Sequence, residues 1–198
     1  MSAILYLEGG GDSKELHARC REGFRRLLER CGFQGRMPRL VACGGRDAAF
    51  GDFTFAHNGR MANFVAMWID SEDLLADLEL TWAHLKARDQ WAQPGGAVDQ
   101  QVLFMTTCME TWLVTDRAAL GKHFGSQLQD SALPPLDDLE KRDRHDVQGR
   151  LVHATRDCLN AYAKGKRSFE VLGKLTPGVL EQHLPSFVRI RRILSMHL

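Results

Sequence analysis

Carboxylates stand where two apolar runs stop. Ile4 to Leu7 gives way to Glu8, then to Gly9, Gly10 and Gly11 with Asp12 behind them; Phe64 to Ile69 gives way to Asp70, Ser71, Glu72 and Asp73. Clustered carboxylates raise each other's pKa unless a cation lies among them. Oxygen-only donors of this kind suit Mg2+ or Mn2+, ions that keep several waters and favour phosphate-bearing partners. In an extended chain Asp70 and Glu72 point to one side and Ser71 to the other, so Glu8, Asp70 and Glu72 are the expected ligand set. The glycines, lacking Cβ, let backbone and ligand approach closely. Asp12 reads either as a further acid of the site or as a helix N-cap, and DSED reads alternatively as an acidic first helical turn.

Such acids meet only if the elements beneath them are parallel. Ile4 to Leu7 is too short for a helix and reads as a buried strand. Behind it, Asp12 or Ser13 caps a helix whose apolar residues Leu16, Cys20, Phe24, Leu27, Leu28 and Cys31 recur at three- and four-residue steps as far as Gly32. RLVAC after Pro38 is a second strand, and Asp47 is a candidate cap for a short helix through Phe53. Phe64 to Ile69 is the third strand, with a Leu- and Ala-rich helix expected from Leu74 to about Trp91. QPGG is a loop, QVLFMTT a fourth strand candidate, and CMETWLVTD and RAALGKHFG read as helical. Strands alternating with helices predict an α/β fold, a mostly parallel sheet flanked by helices, which places ligands at the carboxyl ends of its strands. SALPPLDDLEKRDRHD is a Pro-broken, charged loop; a helix from about Gln148 to Tyr162 and a basic C-terminal segment follow. From Arg150 to Leu198 there are nine Lys or Arg against three Asp or Glu.

Composition excludes several classes. A formal charge of +1 gives too weak a field to announce a nucleic-acid or membrane partner, so either must be read from local patches. Five scattered cysteines without a CxxC pair argue for reduced, buried thiols rather than a disulfide framework or a zinc site. No apolar run reaches the ~18 residues of a membrane span, and the expected location is the cytoplasm. EGGGDSK lacks the spacing of a P-loop, the glycines do not space as GxGxxG, and the GxSxG elbow is absent. Nothing in its neighbourhood favours Cys108 as a nucleophile.

LYLEGGGD followed by a helix, with a later strand ending in WIDSED, resembles the Toprim domain. The longer blocks LVACGGRDAAFGDF, FMTTCMETWLVTDRAAL, KGKRSFEVLGKL and LPSFVRI resemble a bacterial family related to the Toprim nucleases of the RloB and OLD kind, over Ile4 to Ile193. The resemblance implies a Toprim-like α/β domain over 1–130 and a helical, basic extension over 131–198. It implies metal-dependent cleavage of a DNA or RNA phosphodiester, with Mg2+ or Mn2+ at Glu8, Asp70 and Glu72. It also implies an effector role in antiviral defence beside an ABC- or AAA-type ATPase; this chain has no ATPase motif of its own. Asp12 matches an acid that such nucleases place after the glycines. Glu110 is a further ligand or an exposed helix acid. Lys164, Lys166 and Arg167 are candidates for gripping phosphate, as is Arg46, each against the alternative of a solvated loop or a surface salt bridge. Tyr6 and Tyr162 lack a topoisomerase context. A regulatory subunit that docks an ATPase and a small-molecule phosphohydrolase remain alternatives, and the oligomeric state, a homo-oligomer included, is open.

Overall fold

A computed structural model describes residues 2–198. Four strands, β1 (Ala3–Gly10), β2 (Arg39–Gly44), β3 (Phe64–Asp70) and β4 (Val102–Met105), form one parallel sheet in the order β2-β1-β3-β4. The α/β expectation therefore holds. Parallel strands need crossovers, and these supply helices to both faces. Side-chain alternation splits each strand between two apolar clusters. Ile4, Tyr6, Val65, Met67, Ile69, Val102 and Phe104 pack beneath α2 (Arg46–Asn58) and α3 (Thr81–Asp89). Leu5, Leu7, Ala66, Trp68, Leu103 and Met105 face the larger cluster, which takes in α1 (Lys14–Arg30) and the C-terminal helices.

Those later helices are α4 (Met109–Thr115), α5 (Arg117–Phe124), α6 (Arg144–Thr155), α7 (Lys166–Leu172), α8 (Pro177–His183) and α9 (Pro185–His197). The larger cluster runs from Ala3 to Leu194, so residues from both sides of position 130 share it. Buried Arg189 of α9 donates to the carbonyls of Val102 (2.9 Å) and Asp99 (2.8 Å), fastening the C-terminal helix to the start of β4. No helix among the described residues is long and apolar enough to cross a membrane.

Several local expectations are corrected. The glycines do not end β1: the strand continues through Gly9 and Gly10, with a register shift where both meet Gly44. Ser13, not Asp12, caps α1, its hydroxyl accepting from the Leu16 N–H at 3.3 Å. Helix α2 starts at Arg46 with Gly45 at its cap position and runs on to Asn58, so Asp47 lies in its first turn rather than capping it. The helix expected from Leu74 begins only at Thr81. Residues 71–80 are irregular because local side chains compete for the backbone: Ser71 donates to the Asp73 carbonyl (2.8 Å) and Asp77 accepts from the Glu79 N–H (2.8 Å). DSED is accordingly not a helical first turn. The helix expected from Gln148 to Tyr162 is α6, shifted to Arg144–Thr155 because Asp143 caps it by accepting from His145 and Asp146 N–H. The fourth strand is shorter than QVLFMTT, ending at Met105.

Candidate functional site

Strand order reverses between β1 and β3, since β2 lies outside β1 and β4 outside β3. Ligands of open α/β sheets bind at the carboxyl ends of the strands beside such a reversal. Glu8 and Asp70 sit there: Leu7 pairs with Trp68, so each acid lies just beyond the last shared register positions. The Asp70 N–H donates to Glu8 Oε2 at 3.1 Å, which ties the Glu8 carboxylate to the Asp70 backbone, and both residues line one cavity.

A cavity of about 290 Å³ opens over them. Its walls are Glu8, Gly9–Gly11, Gly44 and Asp70 from the sheet edge, Leu16 from α1, Met109 and Glu110 from α4, and Lys164, Gly165, Ser168 and Phe169 from the start of α7 and the loop before it. The glycines are required by space: a Cβ on Gly44 would lie 2.6 Å from the Gly11 carbonyl, and one on Gly9 2.9 Å from the Phe169 ring. Both have positive φ, +80° and +131°, which side-chain-bearing residues rarely adopt.

Burial raises the pKa of Glu8, opposed by the Arg46 guanidinium and the Asp70 N–H and reinforced by Glu72. Asp70 is raised further, by burial and then by the charges of Glu8 and Glu110. Asp70 Oδ1 is buried and has no hydrogen-bond partner. Across the cavity, burial works against the charge of Lys164, but Glu110, Asp70 and Glu8 together outweigh it and raise its pKa.

Glu110 is not an exposed helix acid. Only 1% exposed, it accepts from the Tyr162 hydroxyl on one oxygen and from Gln148 Nε2 (3.1 Å) on the other. Tyr162 also bonds Ser168 Oγ at 2.7 Å, and Ser168 Oγ accepts from the Gly165 N–H at 3.1 Å. This chain of bonds ties Glu110 to the loop that carries Lys164. Tyr162 and Gln148 escaped the sequence reading; the alternation of Tyr162 and Lys164 in AYAKGK is the one local sign that they act together.

Glu72 goes elsewhere. Its carboxylate is taken by Arg88 and Arg144, and it does not line the cavity. Asp12 is exposed and lies outside the lining. Arg46 is committed to carboxylates, gripping Asp89 through two bonds (3.0 and 2.8 Å), donating to the Asp70 carbonyl and approaching Glu8 Oε2 at 3.6 Å. It is thereby a salt-bridged positioning group for both acids. Lys166 is exposed and Arg167 pairs with Glu170 (3.0 Å), so Lys164 alone of the basic triplet lines the cavity. Burial drives the Cys108 thiol up to about 12, which leaves it an inert core group.

Among the described residues, no group of three or more His, Cys, Asp or Glu is placed to hold a metal ion. The donor set does fit Mg2+ or Mn2+ bound in their usual open manner. One or two carboxylates suffice when waters and a phosphate supply the remaining oxygens, and Asp70 Oδ1 is a buried donor without a partner.

Fold and site together define an α/β protein with a parallel four-strand sheet and a carboxylate- and lysine-lined cleft at its carboxyl edge. Set against known proteins, the chain matches no family model, no curated protein and no solved structure.

Proposed function

We propose that the chain is a Toprim-type, metal-dependent hydrolase of phosphodiesters in DNA or RNA. The observation that carries this reading is the partnerless, buried Asp70 Oδ1 beside the Glu8 carboxylate, facing Lys164 across one cleft. Glu8 and Asp70 would hold Mg2+ or Mn2+, which when bound polarises a phosphoryl oxygen and lowers the pKa of water. Arg46 keeps Glu8 and the Asp70 backbone in place. Lys164 donates to a phosphate oxygen on the opposite wall, where its charge offsets what develops in the transition state. Glu110, immobilised by Tyr162 and Gln148, holds Lys164 electrostatically. Activation by an ABC- or AAA-type ATPase and a place in antiviral defence rest on the sequence resemblance.

The size of the cleft favours a second reading. About 290 Å³ with Leu16, Met109 and Phe169 on its walls suits a mononucleotide or one extruded nucleotide better than a duplex, which supports a phosphohydrolase of small molecules. One assay separates the two. Purified protein is offered DNA, tRNA, other RNA and mononucleotides with Mg2+ or Mn2+, alongside Glu8→Gln and Asp70→Asn. Polynucleotide cleavage lost in both variants is expected. Hydrolysis of mononucleotides alone moves the function to the second reading, and full activity in both variants removes the site.

A further inference from the structure

We propose that Arg88 and Arg144 form a phosphate-binding site at the rim of the cleft, which the chain's own Glu72 carboxylate occupies as an internal competitor. The inference rests on the phosphate-handling reading of the cleft. Two guanidinium groups from distant elements, Arg88 on α3 and Arg144 on α6, converge on a single oxygen, Glu72 Oε2. Two arginines on one anionic oxygen is how a non-bridging phosphate oxygen is held, and a carboxylate imitates it.

The two arginines are not equally committed. Arg88 is anchored by Asp73 (2.9 Å) and Asp89 besides Glu72. Arg144 has Glu72 as its one carboxylate partner among the described residues, plus a 3.4 Å contact to His145 Nε2. It also stands at the first position of α6, where the helix dipole opposes a cation. Glu72 is held at a cost of its own, with φ at +65° and its N–H bonded to the Thr107 carbonyl at 2.7 Å. That left-handed backbone is strained for a side-chain-bearing residue. An ion pair serving only stability would not need the strain or the misplaced charge.

The rim adjoins the cleft. Gln148, one turn beyond Arg144 on α6, holds Glu110 inside it, and the charge of Glu72 is felt by both Glu8 and Asp70. A phosphate bound by Arg144 and Arg88 displaces Glu72.

Fluorescence anisotropy in low salt without divalent ions tests this, using a short oligodeoxynucleotide, its RNA counterpart and a labelled mononucleotide. Glu72→Gln is expected to bind at least one of the three about tenfold more tightly than wild type. Adding Arg144→Gln to Glu72→Gln should abolish the gain, and whichever ligand shows the gain names the source of the phosphate. The proposal is overturned if Glu72→Gln binds none of them more tightly, or if the double variant keeps the gain. Circular dichroism confirms that each variant is folded. Because no metal is present, the rim site can fail while Mn2+-dependent cleavage stands, and can hold in a chain that cleaves nothing.

Discussion

Asp70 and Glu72 are two residues apart and chemically alike, yet the protein treats them in opposite ways. Asp70 is left with a partnerless buried oxygen beside a second carboxylate, and its pKa rises well above the usual range. Glu72 is paired with two arginines through one oxygen. The first arrangement stores a deficit of positive charge that an incoming cation can fill. The second is already neutralised and yields only to a competing anion. Acid content alone therefore does not make a metal site; what matters is which acids the fold leaves uncompensated.

The largest effect should separate these two acids directly. Asp70→Asn is expected to lose Mn2+-dependent cleavage by about 10² to 10⁴-fold and to lose thermal stabilisation by Mn2+, whereas Glu72→Gln keeps that stabilisation. Retention of the Mn2+ shift in Asp70→Asn would falsify the metal assignment. Next in size is Tyr162→Phe, which leaves buried Glu110 without one of its donors and should cost about 2 kcal/mol in urea unfolding. An unchanged midpoint there would show that the Glu110 network does not hold the C-terminal loop.

Proton linkage gives the next effect. Glu8 and Asp70 have raised pKa values in the fold, and burial pushes Glu140 up to about 7. Native protein thus binds more protons than unfolded chain between the ordinary carboxylate range and those raised values. Metal-free stability must then fall as pH rises across that window, up to about pH 7 for Glu140. Asp70→Asn and Glu140→Gln should each flatten the decline, and Asp70→Asn should be the more stable protein at neutral pH. Added Mn2+ should stabilise wild type more at alkaline than at acidic pH, because it competes with the same protons. A chemical-denaturation series over pH reads all three. The smallest effect belongs to the rim: Arg144→Gln alone should change stability by less than about 1 kcal/mol, as part-exposed ion pairs do.

What the sequence made legible follows from the range of the forces involved. The strands themselves, the glycine cradle and the sheet's parallel character are written in local patterns, and Glu8 and Asp70 come together because β1 and β3 are neighbours. Lys164 carried a weaker sign, its place in the basic triplet with Lys166 and Arg167. The diversion of Glu72 depends on Arg88 and Arg144, and the burial of Glu110 on Tyr162 and Gln148; neither pairing leaves a local trace. The late start of α3 is a contest between backbone helix bonds and the short side chains of Ser71 and Asp77, which the Leu and Ala content of the segment conceals.

The loop that carries Lys164 closes the cleft from a point in the sequence well beyond both acids, with Phe169 resting against Gly9. Translation makes that closure a late event. At about 5–20 residues per second, several seconds separate the emergence of Asp70 from that of Lys164. Throughout that interval the nascent chain presents the two acids without the lysine. The cleft is completed only when α7 docks on α1.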